Sequence, residues 1–178
     1  MNACDKDFRK LVQAGLLTGC RYGELINVRV RDFHDDSGTL FISESKSGKP
    51  RHVVLEAQGH RFFARHIIGK SGDEYMFTRE DGERWGKSHQ TRRIKEACRR
   101  ANIFPAVSFH ILRHTHASQL IQRGTPLPVI AAQLGHADTR ICEKHYAHLT
   151  PNYVAETIRA NFPDMRIVDE GKKVIALK

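Results

Sequence analysis

The spacing of apolar and polar residues predicts an amphipathic helix near the start of the chain. Small and apolar residues recur there at i, i+3, i+4, i+7 and i+8, which places them on one helix face. They are Phe8, Leu11, Val12, Gly15 and Leu16. Gly19 interrupts this pattern, and a second, short helix is predicted to begin near Tyr22 and to end by Val28.

The pattern changes after the second helix. The segments TLFISESK and PRHVVLE are rich in β-branched and aromatic residues, as strands are. Turn residues stand before the first segment, in DDSG, and between the two segments, in KSGKP. We therefore predict a small antiparallel sheet of two to three strands over residues 30–56, with residues 46–49 at a hairpin tip.

Helical patterns return after the sheet. One side of the helix predicted within residues 88–103 carries Thr91, Ile94, Ala97, Cys98 and Ala101. The predicted helices cover residues 57–69, 88–103, 110–123, 127–134, 139–148 and 151–161. The fold class is thus α+β and mainly α-helical, with a single domain over residues 1–161. We expect the C-terminal tail, residues 162–178, to pack on its own domain or on a neighbouring protomer.

Composition gives a first indication of the partner. The 178 residues include 29 lysines and arginines against 20 acidic residues, a formal net charge of +9. A basic surface attracts polyanions, and nucleic acid is the commonest of them. No apolar run is long enough to span a membrane, and the opening MNACDKDFRK is not a secretory signal. We expect a cytoplasmic protein without a membrane partner.

The four cysteines indicate neither a disulfide framework nor a metal site. Cys4, Cys20, Cys98 and Cys142 include no C-x-x-C pair. We expect reduced, mostly buried thiols in a chain of this size and spacing.

A set of polar residues interrupts these elements and indicates phosphoryl-transfer chemistry. Arginine forks match two phosphate oxygens, lysine and imidazole move protons, and a deprotonated phenol can attack phosphorus. The set contains two guanidinium groups, one ammonium, two imidazoles and one phenol, with hardly any carboxylate. It consists of Arg21, Lys46, His110, Arg113, His136 and Tyr146.

The scarcity of carboxylates in this set argues against a metal-dependent reaction. Metal-dependent phosphoryl transfer needs acidic residues to hold the ions, and protein cations would stabilise the charge instead. His114 and His116 stand close to His110, but they face different sides of a helix and have no cysteine or acidic partner at ligand spacing. We predict no metal and no cofactor, and we expect both histidines in the core or behind the site.

Five short motifs occur in an order that resembles a known family. From about residue 8 to residue 150, the chain resembles the catalytic domain of the tyrosine recombinases, the phage integrase family. The motifs are LLTGCRYGEL, SKSGKPRHVVL, FHILRHTHAS, LGHAD and KHYAHL. The resemblance implies the fold of a tyrosine recombinase catalytic domain.

The same resemblance implies a role for each residue of the set. Arg21 and Arg113 match the two arginines that clamp the phosphate. His110 matches a group that transfers a proton or donates a hydrogen bond. His136, in the L-G-H motif, matches the residue that hydrogen-bonds the phosphate.

Two further matches concern bond breaking and bond making. Lys46 matches the lysine that protonates the departing 5′ oxygen, and we prefer it to Lys49 because the family lysine precedes the turn. Tyr146 matches the nucleophile. The other tyrosines, Tyr22, Tyr75 and Tyr153, are interpreted as structural.

The activity that the resemblance implies is site-specific recombination of DNA. The enzyme would cleave and rejoin DNA through a 3′-phosphotyrosine intermediate without metal or ATP, for integration or excision of mobile DNA. The implied partners are double-stranded DNA, three further protomers in a synaptic tetramer, and accessory DNA-bending proteins. An isolated domain could be monomeric. Family members usually carry a separate N-terminal helical domain, so we expect a fragment or a truncated gene product.

Further basic residues are predicted to contact DNA phosphates. They are Lys49, Arg51, Lys87, His89, Arg92 and Arg93. Glu24, an acidic residue beside the site, is interpreted as a structural partner for an arginine. Three other functions stay open: a DNA-binding module without catalysis, a relaxing enzyme similar to type IB topoisomerases, and a metal-dependent nuclease.

Overall fold

The computed structural model describes residues 2–43 and 50–136. The predicted helices over residues 139–148 and 151–161, the tail, Lys46, Lys49, Cys142 and Tyr146 lie outside the described residues. The helices are α1 (Lys6–Thr18), α2 (Tyr22–Leu25), α3 (Ala57–Ile67), α4 (His89–Arg100), α5 (Phe109–Gln122) and α6 (Leu127–Leu134). A 3₁₀ turn (Val30–Asp32) precedes the strands β1 (Phe33–His34), β2 (Thr39–Ile42) and β3 (Arg51–Val54).

The predicted antiparallel sheet is confirmed and has three strands in the order β1-β2-β3. Leu40 on β2 pairs with Phe33 on one side and with Val53 on the other. Because side chains alternate across a strand, these three residues lie on one face, and all three are buried. The opposite face carries residues such as Val54, which is 64% exposed.

One main hydrophobic core joins the sheet to the helices. Phe8 on α1 contacts the rings of Trp85 and Phe109, with ring centroids 5.8 and 6.4 Å apart. Phe63 on α3 lies over Phe33 and closes the core against the sheet. A smaller cluster fills the space between α5 and α6. The mainly α-helical fold class is thereby confirmed.

The structure refines two predicted details. The second helix ends at Leu25, within the predicted limit at Val28, and the carbonyl of Val28 accepts a hydrogen bond from the backbone N–H of Met76. On α4, the predicted apolar face is buried in its middle, but Thr91 is exposed in the first turn and Ala101 after the last. Both ends of that face extend past the edge of the core.

The end of α1 fixes where the following turn lies. Gly19 ends the helix with φ +66°, a conformation that favours glycine. A Cβ there would lie 2.6 Å from Leu134 Cδ2 on α6 and 2.8 Å from His116 Cδ2 on α5. This close approach places the turn after α1, with Arg21, beside α5 and the end of α6.

The described cysteines agree with the expectation of reduced thiols. Cys4, Cys20 and Cys98 are free, and the last two are buried. In the described ranges, no helix has both the length and the apolar character needed to cross a membrane.

Candidate active site

A buried carboxylate lies at the centre of the site and binds two arginines. Only 3% of the Glu24 side chain is exposed. Its oxygens accept hydrogen bonds from the backbone N–H of Arg21 (2.8 Å) and from Arg21 Nη1 (2.9 Å). They also accept from Arg51 Nη1 (3.1 Å) and Nη2 (2.9 Å). The predicted role of Glu24 as an arginine partner is therefore confirmed.

The protonation state of Glu24 follows from these contacts. Burial by itself raises the pKa of a carboxyl group. Here the hydrogen bonds and charge of Arg51, and then those of Arg21, hold the pKa of Glu24 below its usual value. The carboxylate is therefore charged at neutral pH and fixes both guanidinium groups.

Arg113 lies deeper and holds two helix ends together. It is 3% exposed. Its Nη1 donates to the carbonyl of Gly19 (2.9 Å), and its Nη2 donates to the carbonyl of Leu134 (2.7 Å). Carbonyls in the last turn of a helix lack a partner within the helix and carry partial negative charge. Arg113 satisfies one such group from α6 and one from the turn that ends α1.

The charge of Arg113 persists despite its burial. Burial, and then the charge of Arg21 nearby, lower the pKa of Arg113 to about 10. The guanidinium is still protonated at neutral pH. It has five N–H donors, so two carbonyl bonds do not exhaust its capacity to bind an anion.

A cleft of about 410 Å³ opens above these groups and is lined by Arg21, His110 and Arg113. His110 is exposed at the start of α5 and contacts the ring of His114, with centroids 4.7 Å apart. Two arginines and one histidine thus line the same space, an arrangement that suits phosphate, which guanidinium groups often bind with two parallel hydrogen bonds.

His136 follows α6 and lies within reach of the same charges. Gly135 is the C-cap of α6 and has φ +68°. Burial, followed by the charges of Arg113, Arg21, Arg51 and His110, lowers the pKa of His136 to about 4. The imidazole is therefore uncharged at neutral pH.

The lowered pKa of His136 predicts a loss of stability in acid. Between pH 6.5, the ordinary histidine value, and about pH 4, the unfolded chain binds a proton that the folded chain does not. His136 therefore does not affect the free energy of unfolding above pH 6.5. It lowers that free energy as the pH drops from 6.5 to about 4. His116 and His66, whose pKa values are also lowered by burial, act in the same direction.

Urea unfolding at a series of pH values measures this effect. We expect His136→Asn to flatten part of the decline between pH 6.5 and about pH 4. The matched control is His34→Asn, at an exposed position of the sheet. If both variants followed the wild-type curve, His136 would not be the half-buried neutral group that its lowered pKa indicates.

The structure brings together four of the six predicted catalytic residues. Arg21, His110 and Arg113 line the cleft, and His136 lies close enough for their charges to lower its pKa. His116 does not line the cleft, and its Nδ1 bonds the carbonyl of Leu16 (2.9 Å). In the part of the chain that the structure describes, no three His, Cys, Asp or Glu residues are grouped to hold a metal.

The described residues among those predicted to contact DNA do not line this cleft. Only 8% of the Arg51 side chain is exposed, and its guanidinium points inward to Glu24. His89, Arg92 and Arg93 line a separate groove of about 260 Å³. Arg93 bonds Asp5 and Asp7 there. Lys87 is exposed and does not line the cleft.

Three polar residues of α4 line the cleft and were absent from the sequence-based set. They are Gln90, Thr91 and Lys95. Thr91 and Lys95 are four residues apart, with the buried Ile94 between them, and therefore lie about one helical turn apart on α4. This spacing was visible in the sequence. Which groove that face borders depends on how α4 packs against α5, and local periodicity does not contain this information.

Sequences similar to this chain are found among tyrosine recombinases and integrases. The tyrosine recombinase XerA of Pyrococcus furiosus is 29% identical over 81% of this chain and 51% of its own length. The tyrosine recombinase XerC of Xanthomonas axonopodis is 30% identical over 89% of this chain and 52% of its own length. The integrase of Salmonella phage P22 is 28% identical over 89% of this chain and 43% of its own length. The chain thus spans about half the length of these relatives.

Solved structures share the fold. The catalytic domain of bacteriophage HP1 integrase matches with a TM-score of 0.64 and 24% identity, over 90% of this chain and 88% of that one. The integrase of transposon Tn1549, solved in complex with transposon right end DNA, matches with a TM-score of 0.73 and 17% identity, over 87% and 58% of the two chains. The model of the phage integrase family matches residues 1–152. This match covers most of the sequence and confirms the resemblance, so the chain belongs to the phage integrase family.

Proposed function

We propose that this chain is the catalytic domain of a site-specific DNA recombinase, and that it integrates or excises mobile DNA. The observation that carries the proposal is the convergence of Arg21 and Arg113 on one cleft, with His110 in the same cleft and His136 beside it. A metal-free site for a phosphodiester needs this kind of fixed positive charge, because charge accumulates on the phosphate oxygens during attack.

The proposed reaction conserves the number of phosphodiester bonds. Arg21 and Arg113 bind the two non-bridging oxygens of the scissile phosphate. The hydroxyl group of Tyr146 gives its proton to His110, its oxygen attacks phosphorus, and the bond to the 5′ oxygen breaks. Lys46 supplies a proton to this oxygen, which leaves as a hydroxyl group. A 5′-hydroxyl from another strand then attacks the 3′-phosphotyrosine bond and releases Tyr146.

The two histidines have different proposed roles in this reaction. His110 is exposed in the cleft and is placed to exchange a proton with the reacting groups. His136 is neutral because its pKa lies at about 4. It is suited to donate a hydrogen bond to a phosphate oxygen without adding a further charge to a site that already holds several arginines.

The proposed partner is double-stranded DNA in the cytoplasm. The net charge of +9 favours binding to a polyanion. Gln90, Thr91 and Lys95 extend the cleft along α4 and offer polar contacts beside the scissile phosphate. The Tn1549 integrase and the XerH recombinase have both been solved with DNA. A tetramer on DNA and accessory DNA-bending proteins complete the proposal.

Covalent trapping tests the proposal. The protein and its Tyr146→Phe variant are incubated in EDTA with nicked DNA duplexes that carry candidate attachment sequences, and denaturing gels detect a protein–DNA adduct. We expect an adduct from the wild type alone. Binding of the same DNA is expected to be nearly equal for both, because only one hydroxyl group is removed.

Other outcomes would favour the competing functions. DNA binding without an adduct, even with an N-terminal DNA-binding domain added, would favour a binding module. Cleavage that EDTA abolishes would favour a nuclease. Relaxation of supercoiled DNA without strand exchange would favour a relaxing enzyme. An adduct from the Phe variant would exclude Tyr146 as the nucleophile.

A further inference from the structure

We infer that Arg51 and Gln133 are positioning residues for the catalytic site, which together fasten the turn that carries His136 to strand β3 and to Glu24. We call this pair the β3–α6 bracket. The expected effect of this pair on catalysis rests on the proposed function. That Arg51 on β3 and Gln133 on α6 fix the position of His136 is a structural statement and does not depend on that function.

Arg51 forms the inner half of the bracket. Its Nη1 and Nη2 bond both carboxylate oxygens of Glu24, which in turn holds Arg21. Its Nε donates to the backbone carbonyl of Gln133 (3.1 Å), in the last turn of α6. One guanidinium therefore connects the carboxylate that holds Arg21 with the helix end that precedes His136.

Gln133 forms the outer half of the bracket. β3 is an edge strand of the sheet, so its outer backbone groups need partners. The side chain of Gln133 supplies them: Val54 N–H donates to Gln133 Oε1 (3.0 Å), and Gln133 Nε2 donates to the carbonyl of Val54 (2.9 Å). These two hydrogen bonds take the place of those that a neighbouring strand would form, and they fix α6 along β3.

Gly135, in the turn before His136, packs closely against the side chain of Arg51. A Cβ at Gly135 would lie 2.8 Å from Arg51 Nη1 and 2.9 Å from its Cδ and Cζ. Any side chain at Gly135 would displace the Arg51 guanidinium or the turn. Arg113 donates to the next carbonyl, that of Leu134, so two arginines hold consecutive carbonyls of the same turn. The turn that leads to His136 is thus held by both Arg51 and Arg113.

The bracket is expected to affect catalysis through geometry. A small displacement of a catalytic group by a remote change can slow a reaction on the order of 10²-fold. Arg51 itself bonds protein groups on three sides and is 8% exposed, which indicates that it acts through its neighbours and not on the DNA.

Two variants test the inference. Gln133→Met removes both bonds to Val54 without a change of charge. Arg51→Lys keeps the charge but cannot bond Glu24 and Gln133 at the same time. The controls are Arg29→Lys, another arginine that bonds a backbone carbonyl but does not line the cleft, and Gln122→Met at the exposed end of α5. All proteins are assayed below their unfolding temperatures.

The first measurement needs no DNA. NMR titration of the histidine rings gives the pKa of His136 in each folded variant. We expect the pKa to rise from its wild-type value toward the ordinary histidine value in Gln133→Met, because a loosened turn lets water reach the ring. The two controls are expected to titrate like the wild type.

The second measurement is the first-order rate of adduct formation at saturating DNA. We expect both bracket variants to form the adduct about tenfold to a hundredfold more slowly, with DNA affinity unchanged. Wild-type rates together with an unchanged His136 pKa would overturn the inference. If the wild type itself forms no adduct, the proposed function fails, and the titration alone decides whether the bracket positions His136.

Discussion

Replacing Glu24 with glutamine is expected to destabilise the protein by about 3 kcal/mol, because it leaves buried arginine charge without a counterion. Glu24 is 3% exposed and its partner Arg51 is 8% exposed, so water replaces little of the lost interaction. The new amide group would also direct N–H donors toward guanidinium donors. Since whole domains are stable by about 5–15 kcal/mol, this single change would remove a large share of the free energy of unfolding.

Urea unfolding of Glu24→Gln measures the effect, and Glu96→Gln is its matched control. Glu96 also binds two arginines, Arg99 and Arg100, but 36% of its side chain is exposed. The two carboxylates therefore differ mainly in burial. We expect Glu96→Gln to change the urea midpoint little, since exposed ion pairs contribute little to stability. Equal destabilisation by both changes would contradict the central role given to Glu24.

Replacing Arg113 with alanine is expected to slow covalent attachment by on the order of 10²-fold or more, since a charge that stabilises the transition state is lost. The change also leaves the carbonyls of Gly19 and Leu134 without their donor. An unsatisfied buried polar group costs about 1–3 kcal/mol. Arg113→Ala should therefore lower both the rate of adduct formation and the thermal stability.

Two further variants separate these effects. Arg113→Lys keeps a positive charge but cannot reach two carbonyls and a phosphate with one ammonium, so its rate should stay low while part of the stability returns. Arg123→Ala removes an exposed arginine after the end of α5 and should leave the rate unchanged. Rapid attachment by Arg113→Ala in a folded protein would remove Arg113 from the catalytic set.

The charges in the site explain why one acidic residue is retained among several basic ones. Arg21, Arg51 and Arg113 lie close enough to lower the pKa of His136 together. Without Glu24 their mutual repulsion would oppose folding, and with it the centre still has an excess of positive charge. In the part of the chain that the structure describes, the cleft that Arg21 and Arg113 line is where a phosphate could meet that excess.

The sequence by itself determined the elements and the identities of the candidate residues. Apolar spacing located α1 and α4, because a helix face repeats locally and needs no information about distant partners. Turn residues located the sheet. The order of the motifs around Arg21, His110 and Arg113 indicated the family, since these residue types at this spacing are uncommon outside it.

Only the tertiary structure decided how these residues act together. Nothing local to Arg51 shows that its guanidinium turns inward to Glu24 and the carbonyl of Gln133, and the sequence favoured an outward contact with DNA. The side of α4 that borders the cleft, with Lys95, was likewise hidden. Such contacts join residues far apart in the chain, and they depend on which carbonyls and carboxylates the packing of the elements leaves to be satisfied.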